Sequence, residues 1–215
     1  MSNSLPPGAG PAPTRHRMTG AARREQLITT ARGLFAERGY DGTAVEEIAA
    51  TAGVSKPVVY EHFGGKEGLY AVVVDREVRT LLSALEAALT GARPRELLEQ
   101  AAVALLDYIE TSSDGFRILV RDNPPGATSG QFATIMNDVV RRVEHLLADQ
   151  FEDRGLDPTT APMYAQMLVG MVGHTGQWWL DAGSPAKDVV AAHVVNLAWN
   201  GLAGLTPAPE LSPGR

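Results

Sequence analysis

Cysteine is absent from the 215-residue chain. That excludes disulfides, iron–sulfur clusters and thiolate zinc sites, and nothing points to an oxidising compartment. No apolar run approaches the ~20 residues that span a bilayer; the run at 70–74 stops at Asp75 and Arg76. The opening thirteen residues are rich in proline, glycine and serine without an apolar core, so no secretory signal is expected. Strand-like alternation and internal repeats are missing too. Metal-ligand spacing, a phosphate-cradling glycine loop and a nucleophile elbow are likewise not found. His145, His174 and His193 with Asp181 come nearest to a catalytic group and fit none of these patterns. The expectation is a cytoplasmic chain that is no enzyme, holds no metal and carries no cofactor.

What is present is an ordinary globular composition, 44% apolar and 20% charged. The net charge of −6 argues at first against a nucleic-acid partner. Its distribution reverses that impression. Residues 1–40 carry Arg15, Arg17, Arg23, Arg24, Arg32 and Arg38 against Glu25 and Glu37, a balance of +4 that leaves −10 on the remainder. A basic N-terminal face on an acidic body suits a modular DNA binder, since phosphate attraction is needed only where the duplex sits. On charge alone, an arginine-rich tail without a partner is an equal alternative.

Periodicity is helical between two tails, 1–14 and 206–215, whose composition predicts disorder. The first predicted helix covers 20–38, with Leu27, Ile28, Ala31, Leu34 and Phe35 on one face and Gly39 ending it. Thr43 is a good N-cap for a short second helix, and Glu46 completes a capping box. Ser55 caps a third, with Pro57 in its first turn, where a missing amide hydrogen costs nothing. A long fourth helix starts near Lys66 and carries Val74, Val78, Leu81, Leu82, Leu85 and Leu89 as its stripe. Further helices are predicted over 95–110, 113–120, 159–182 and 186–205, and a non-helical loop at 123–130 is followed by another whose inward stripe is Ile135, Val139, Val143, Leu146, Leu147 and Phe151. The fold class is all-α with about nine helices. The chain divides within the fourth helix into a unit over 15–81 and a larger one over 82–205.

Residues 43–66 read TAVEEIAATAGVSKPVVYEHFGGK. Two short helices joined by a glycine-containing turn form a helix-turn-helix, about 44–63. Val45, Ile48 and Ala49 face Val54 and Val59, and Phe63 closes that core. Lys56, Pro57, Val58, Tyr60, Glu61 and His62 then point outward, free to enter a major groove. Tyr60, Lys66 and the Thr43 hydroxyl are positioned for phosphates, and Ser55 belongs to the same helix start. Val58 suits a thymine methyl, and Lys56 or His62 a guanine acceptor.

The whole string resembles the TetR family of regulators. Its markers are Leu34-Phe35, Gly39, Thr43, Ile48-Ala49, Ala52-Gly53-Val54-Ser55, Tyr60, His62-Phe63, Lys66 and Leu69, spread over 21–81. Pro57-Val58 departs from the pattern, where a glycine and a small polar residue are frequent, and this leaves the identity of the base contacts open. The resemblance implies that 15–81 is a DNA-binding unit and 82–205 a ligand-binding and dimerisation unit. A homodimeric repressor, released from a pseudo-palindromic DNA operator by a small effector, is the leading expectation; an activator or a ligand-independent DNA-binding regulator is the alternative.

In the C-terminal half, Gly170, Gly173 and Gly176, then Gly201 and Gly204, recur at intervals of three. Each lowers helix propensity, so close approach to a partner helix is the expected compensation. With Val194 and Leu197, Gly170, Gly173, Gly176 and Gly201 form the expected dimer interface; packing within one subunit is the alternative. Met163, Met167, Met171, His174 and Trp178 share one strip of the eighth helix. With Tyr108, Phe116 and Phe132 they form the expected apolar ligand pocket, the bland alternative being plain core. The segments DYIETSSDGFRIL, LVGMVG…WWLDAG and AWNGLAGL look like actinobacterial members of the family, including acyl-CoA-responsive regulators of fatty-acid synthesis. That likeness implies a lipid-like effector; the lack of a bilayer-spanning apolar run leaves no membrane partner expected.

Overall fold

The computed structural model describes residues 18–90, 93–120 and 131–209, with the side chains of 131–139 and 142 outside the described set. The tail 1–14, the loop 123–130, Phe132's side chain and the end of the 206–215 tail therefore lie outside it. Helices run α1 (Gly20–Arg38), α2 (Val45–Thr51), α3 (Lys56–Phe63), α4 (Lys66–Ala88), α5 (Pro94–Thr111), α6 (Ser113–Val120), α7 (Gln131–Asp153), α8 (Ala161–Ala182) and α9 (Lys187–Ala203), with one 3-10 turn at Pro158–Thr160. No strand occurs among the described residues. The all-helical architecture matches the periodicity.

The N-terminal helices close on a dry apolar centre. Leu27, Ala31, Phe35, Ile48, Val59, Leu69 and Val73 are essentially removed from solvent. Each larger side chain among them contributes about 1.5–3 kcal/mol by burial. Phe35 and Tyr40 both meet Tyr70 with ring centroids 5.0 Å apart, edge against face. Thr19 starts α1 by accepting the Ala22 amide at 3.2 Å.

The second expected cap is corrected. Ala44, not Thr43, occupies the N-cap position of α2, and no side chain caps it. Thr43 is only 1% exposed. Its hydroxyl turns inward and donates to the Gly39 carbonyl at 2.8 Å, with the Leu34 carbonyl 3.3 Å away. The end of α1 offers carbonyls that lack helical partners, and Thr43 satisfies them instead of the α2 amides. Glu46 is thereby free of the capping box and pairs with Lys56.

α4 runs unbroken from the helix-turn-helix into the C-terminal half. There α5 packs along both α4 and α9, α7 packs along α8, and α6 lies against α1 and α4. One continuous apolar cluster passes from Leu27 in α1 through Tyr108 and Phe116 to Trp179 and Val194. A smaller one, Phe151, Leu156 and Ala161, closes the α7–α8 turn. Arg154 donates to the Leu202 and Ala203 carbonyls at 3.0 Å and so satisfies the end of α9.

Candidate nucleic-acid interface and the outer face of α8 and α9

The α2–α3 pair is held by its turn and by α1. Gly53 sits at φ 65°, a left-handed conformation that favours glycine. Its amide reaches the Ala50 carbonyl at 3.0 Å, and the Val54 amide reaches Ala49 at 2.9 Å. From α1, the Gln26 side-chain amide donates to the Ala52 carbonyl at 3.1 Å. Arg38 is paired with Glu47, and Arg24 lies over the Phe63 ring, 4.9 Å from its centroid. α2 and α3 are thus clamped from behind, which fixes the direction of α3's outer face.

That outer face consists of exposed Ser55, Lys56, Pro57, Tyr60 and Glu61, with His62 half-buried beside Phe63. Ser55 occupies the N-cap position of α3, yet its hydroxyl makes no capping bond. Tyr60 is 47% exposed and leans on the Gly65 backbone. Lys56 Nζ lies 2.5 Å from Glu46 Oε1, and this hydrogen bond raises the lysine's proton affinity. Lys66 donates to the Tyr40 carbonyl at 2.9 Å and covers the Tyr40 ring at 4.1 Å.

Two expected contacts are corrected. Val58 is half-buried against the apolar cluster and not fully outward, because the short α3 must lean on α2 with more than Val59 alone. Thr43's hydroxyl is buried and committed to carbonyls, so it presents no donor to a phosphate. The basic N-terminal segment is also less available than its charge predicts. Arg23 bonds Gln26, Arg32 bonds Glu77, and Arg38 bonds Glu47, while Arg15 and Arg17 lie outside the described residues.

The expected pocket is not assembled as predicted. Tyr108 and Phe116 are buried, and Met171 packs against the core. Met163, Met167 and Trp178 stand 48%, 56% and 55% exposed on the far side of α8, and His174 is exposed with them. α8 is apolar on both faces. Its small residues Ala161, Ala165 and Gly176, with Trp179, turn inward, where close packing needs them. The bulky strip, about half a turn round, is left outside. His174 Nδ1 lies 2.9 Å from the Gly170 carbonyl of its own helix. The expected interface is rearranged as well. Leu197 is 66% exposed, and a Cβ at Gly170, Gly173 or Gly201 would meet nothing. Gly176 belongs inside, since a Cβ there would fall 2.5 Å from Ile109 Cδ1, and Val194 is buried within its own subunit. An open groove of about 480 Å³ between α4 and α5, lined by Thr80, Ala84, Ala104, Asp107, Tyr108 and Ser112, takes in only Tyr108 of the expected pocket.

Residues 27–73 match the family model of bacterial regulatory proteins of the tetR family, and residues 91–202 match the tetracyclin repressor-like C-terminal domain. The chain is 35% identical over 190 residues to the HTH-type transcriptional activator FasR of Mycolicibacterium smegmatis, covering 87% of this chain and 86% of that protein. The chain belongs to the TetR family of transcriptional regulators. A TetR-like transcriptional regulator from Rhodococcus sp. RHA1 superposes with a TM-score of 0.75 at 28% identity, covering 88% of this chain and all of the other. AibR, solved in complex with isovaleryl coenzyme A and operator DNA, shares the fold at a TM-score of 0.70 and 23% identity, over 81% of this chain and 97% of its own. Among the described residues no helix is long and apolar enough to cross a membrane, and no three metal-ligating side chains gather.

Sequence reasoning missed Gln26 and gave Glu46 a capping role in place of its pairing with Lys56. It also missed a buried charged group where α1, α4, α5 and α6 meet, around Glu77. The hydrogen bonds that join it span 31 to 80 positions, and no local spacing marks them.

Proposed function

We propose that the chain acts in the cytoplasm as a homodimer that occupies a pseudo-palindromic operator and leaves it when a lipid-like effector enters the C-terminal half. The observation that carries this reading is the division of α3 into an inward side clamped by α1 and α2 and an outward side left to solvent. Lys56, Pro57, Tyr60 and His62 face the major groove, with the edge of Val58 available to a thymine methyl. Ser55 and Tyr60 offer uncommitted hydroxyls to phosphates, and Lys66 keeps two ammonium hydrogens beyond the one given to Tyr40. Lys56 exchanges Glu46 for the duplex on binding.

Dimerisation rests on the outer strip Met163, Met167, His174 and Trp178 of α8 with Leu197 of α9, flanked by Gly170, Gly173 and Gly201, where no Cβ obstructs approach. A helix apolar all round belongs in an interior, and a second copy supplies it. Two copies joined there present two α3 helices to half-sites about 34 Å apart. Residues 15–81 then serve as the reading unit and 82–205 as the sensing and pairing unit.

An acyl thioester is the effector class that fits the sequence resemblance, and the fold accommodates one in AibR, which holds isovaleryl coenzyme A. Tyr108, Phe116 and Met171 remain its candidate lining, with Phe132. Occupancy of a promoter by the dimer blocks transcription, and effector binding relieves the block. A second reading, activation, is favoured by the name of FasR, an activator at 35% identity. Gel shift against duplexes selected from random sequence tests the core of the proposal. Wild type retains a palindrome, and Tyr60→Ala and Lys56→Ala weaken retention with unchanged melting. Equal retention by both variants would remove α3's outer face from the interface. A titration of acyl-CoA chain lengths into the retained complex tests the effector, and a promoter–reporter fusion reads the sign of the output.

A further inference from the structure

A carboxylate withdrawn from water has to be paired, and the way it is paired fixes whatever carries the partners. Glu77 of α4 is 7% exposed. Its Oε1 accepts from Arg32 Nε of α1 at 2.6 Å, and its Oε2 accepts from the Tyr108 hydroxyl of α5 at 2.9 Å. Arg32 Nη2 lies 3.4 Å from Oε2 and donates to Ser112 Oγ, between α5 and α6, at 2.8 Å. Arg32 Nη1 faces Asp114 of α6 at 3.6 Å. Burial and the neighbouring carboxylate push the Tyr108 hydroxyl far above its ordinary pKa, so it stays a donor.

Gly115 makes this closeness possible. A Cβ there would fall 1.8 Å from Glu77 Oε2 and 2.6 Å from the Tyr108 hydroxyl. The α6 backbone therefore rests directly on the charged group. The other buried contacts of α4, through Val73, Val74, Val78 and Leu81, are non-directional and tolerate sliding, and its Arg76–Glu25 pair with α1 lies at the surface, screened by water. Hydrogen bonds of 2.6–2.9 Å to a buried charge do not.

We propose that the Arg32–Glu77–Tyr108–Ser112 cluster, seated on Gly115, is the coupling element between the operator-reading helices and the C-terminal half. α6 cannot shift against α1 and α4 without breaking the Arg32 contacts to Ser112 and Asp114 or driving the Gly115 backbone against Glu77, so a displacement at either end passes through as a step and is not absorbed by slippage. The inference deepens the operator-binding reading above and rests on it. Coupling is reciprocal: whatever lets an effector act on the DNA-binding helices lets DNA act on α6. The test therefore needs no effector.

Hydrogen exchange of the full chain is followed by mass spectrometry with and without a duplex selected by wild type. In wild type, the duplex slows exchange of the α6 amides by at least about fivefold, although α6 lies on the C-terminal half. In Tyr108→Phe, which keeps the ring, and in Glu77→Gln, which keeps the volume, that transmitted slowing falls below about twofold. Duplex affinity of Glu77→Gln stays within about threefold of wild type, and α2 and α3 remain protected in both variants. A purely structural role would loosen α6 equally with and without DNA and leave the transmitted factor intact. Undiminished transmission in both variants overturns the coupling, as does its absence from wild type with the duplex bound. Failure of wild type to retain any duplex overturns the operator reading along with it.

Discussion

The two ends of the chain meet solvent in opposite ways. Around α1–α3 the bulky apolar residues are inside, Phe35 at 1% and Ile48 and Val59 at 0% exposure, and the outward positions of α3 are polar or small. Along α8 and α9 a second set of bulky residues, Met163, Met167, Trp178 and Leu197, stands outside. The N-terminal unit is complete within one chain. The exposed face of the C-terminal unit carries the aromatic and methionine side chains that interfaces favour. Trp178 and Trp179 show the contrast in adjacent positions: Trp179 is buried and donates to the Pro185 carbonyl at 2.8 Å, while Trp178 is half in water.

The largest effect that would break this contrast comes from the closed end. Phe35→Ala removes the ring packed on Tyr70 and costs about 3–5 kcal/mol, read as a lower midpoint in urea with α1–α4 amides exchanging first. Next, Leu197→Glu places a charge on the uncovered face. The chain stays folded, with a melting midpoint that no longer depends on protein concentration, but operator affinity falls by about 100-fold or more, because one half-site alone remains. A stability loss equal to that of Phe35→Ala would instead show Leu197 to be part of a core. Tyr60→Ala is smaller, about tenfold in gel-shift affinity with no change in folding. Smallest is Arg76→Gln. Its carboxylate partner Glu25 is held below the usual range chiefly by their hydrogen bond, but the pair is exposed at the surface. A melting shift of no more than about 2 °C is expected, because water already screens such pairs.

Legibility in the sequence followed the same division. Helix positions and the α2–α3 core were readable because Val45, Ile48, Val59 and Phe63 recur at helical spacing around a glycine turn. Thr43 was not readable: a threonine before a helix can satisfy the amides ahead or the carbonyls behind, and only the path of residues 39–43 decides between them. α8 failed for a related reason. Periodicity reports which residues share a face, not which face meets its own chain, and in α8 both faces are apolar. Gly176, like Val194 of α9, was therefore assigned to a partner's side and Met163, Met167 and Trp178 to a pocket, whereas within one chain the first two are buried and the other three exposed. The Glu77 cluster gave no signal, because its members come from four helices and two of them, Arg32 and Asp114, look in sequence like ordinary surface charge.

The uncovered face carries the central claim, since operator reading by paired α3 helices requires a second copy on it. Light scattering of the purified chain at micromolar concentration measures this directly. The expected mass is about twice the 22.9 kDa of one chain, falling to one chain in Leu197→Glu. A wild-type mass of a single chain would contradict it.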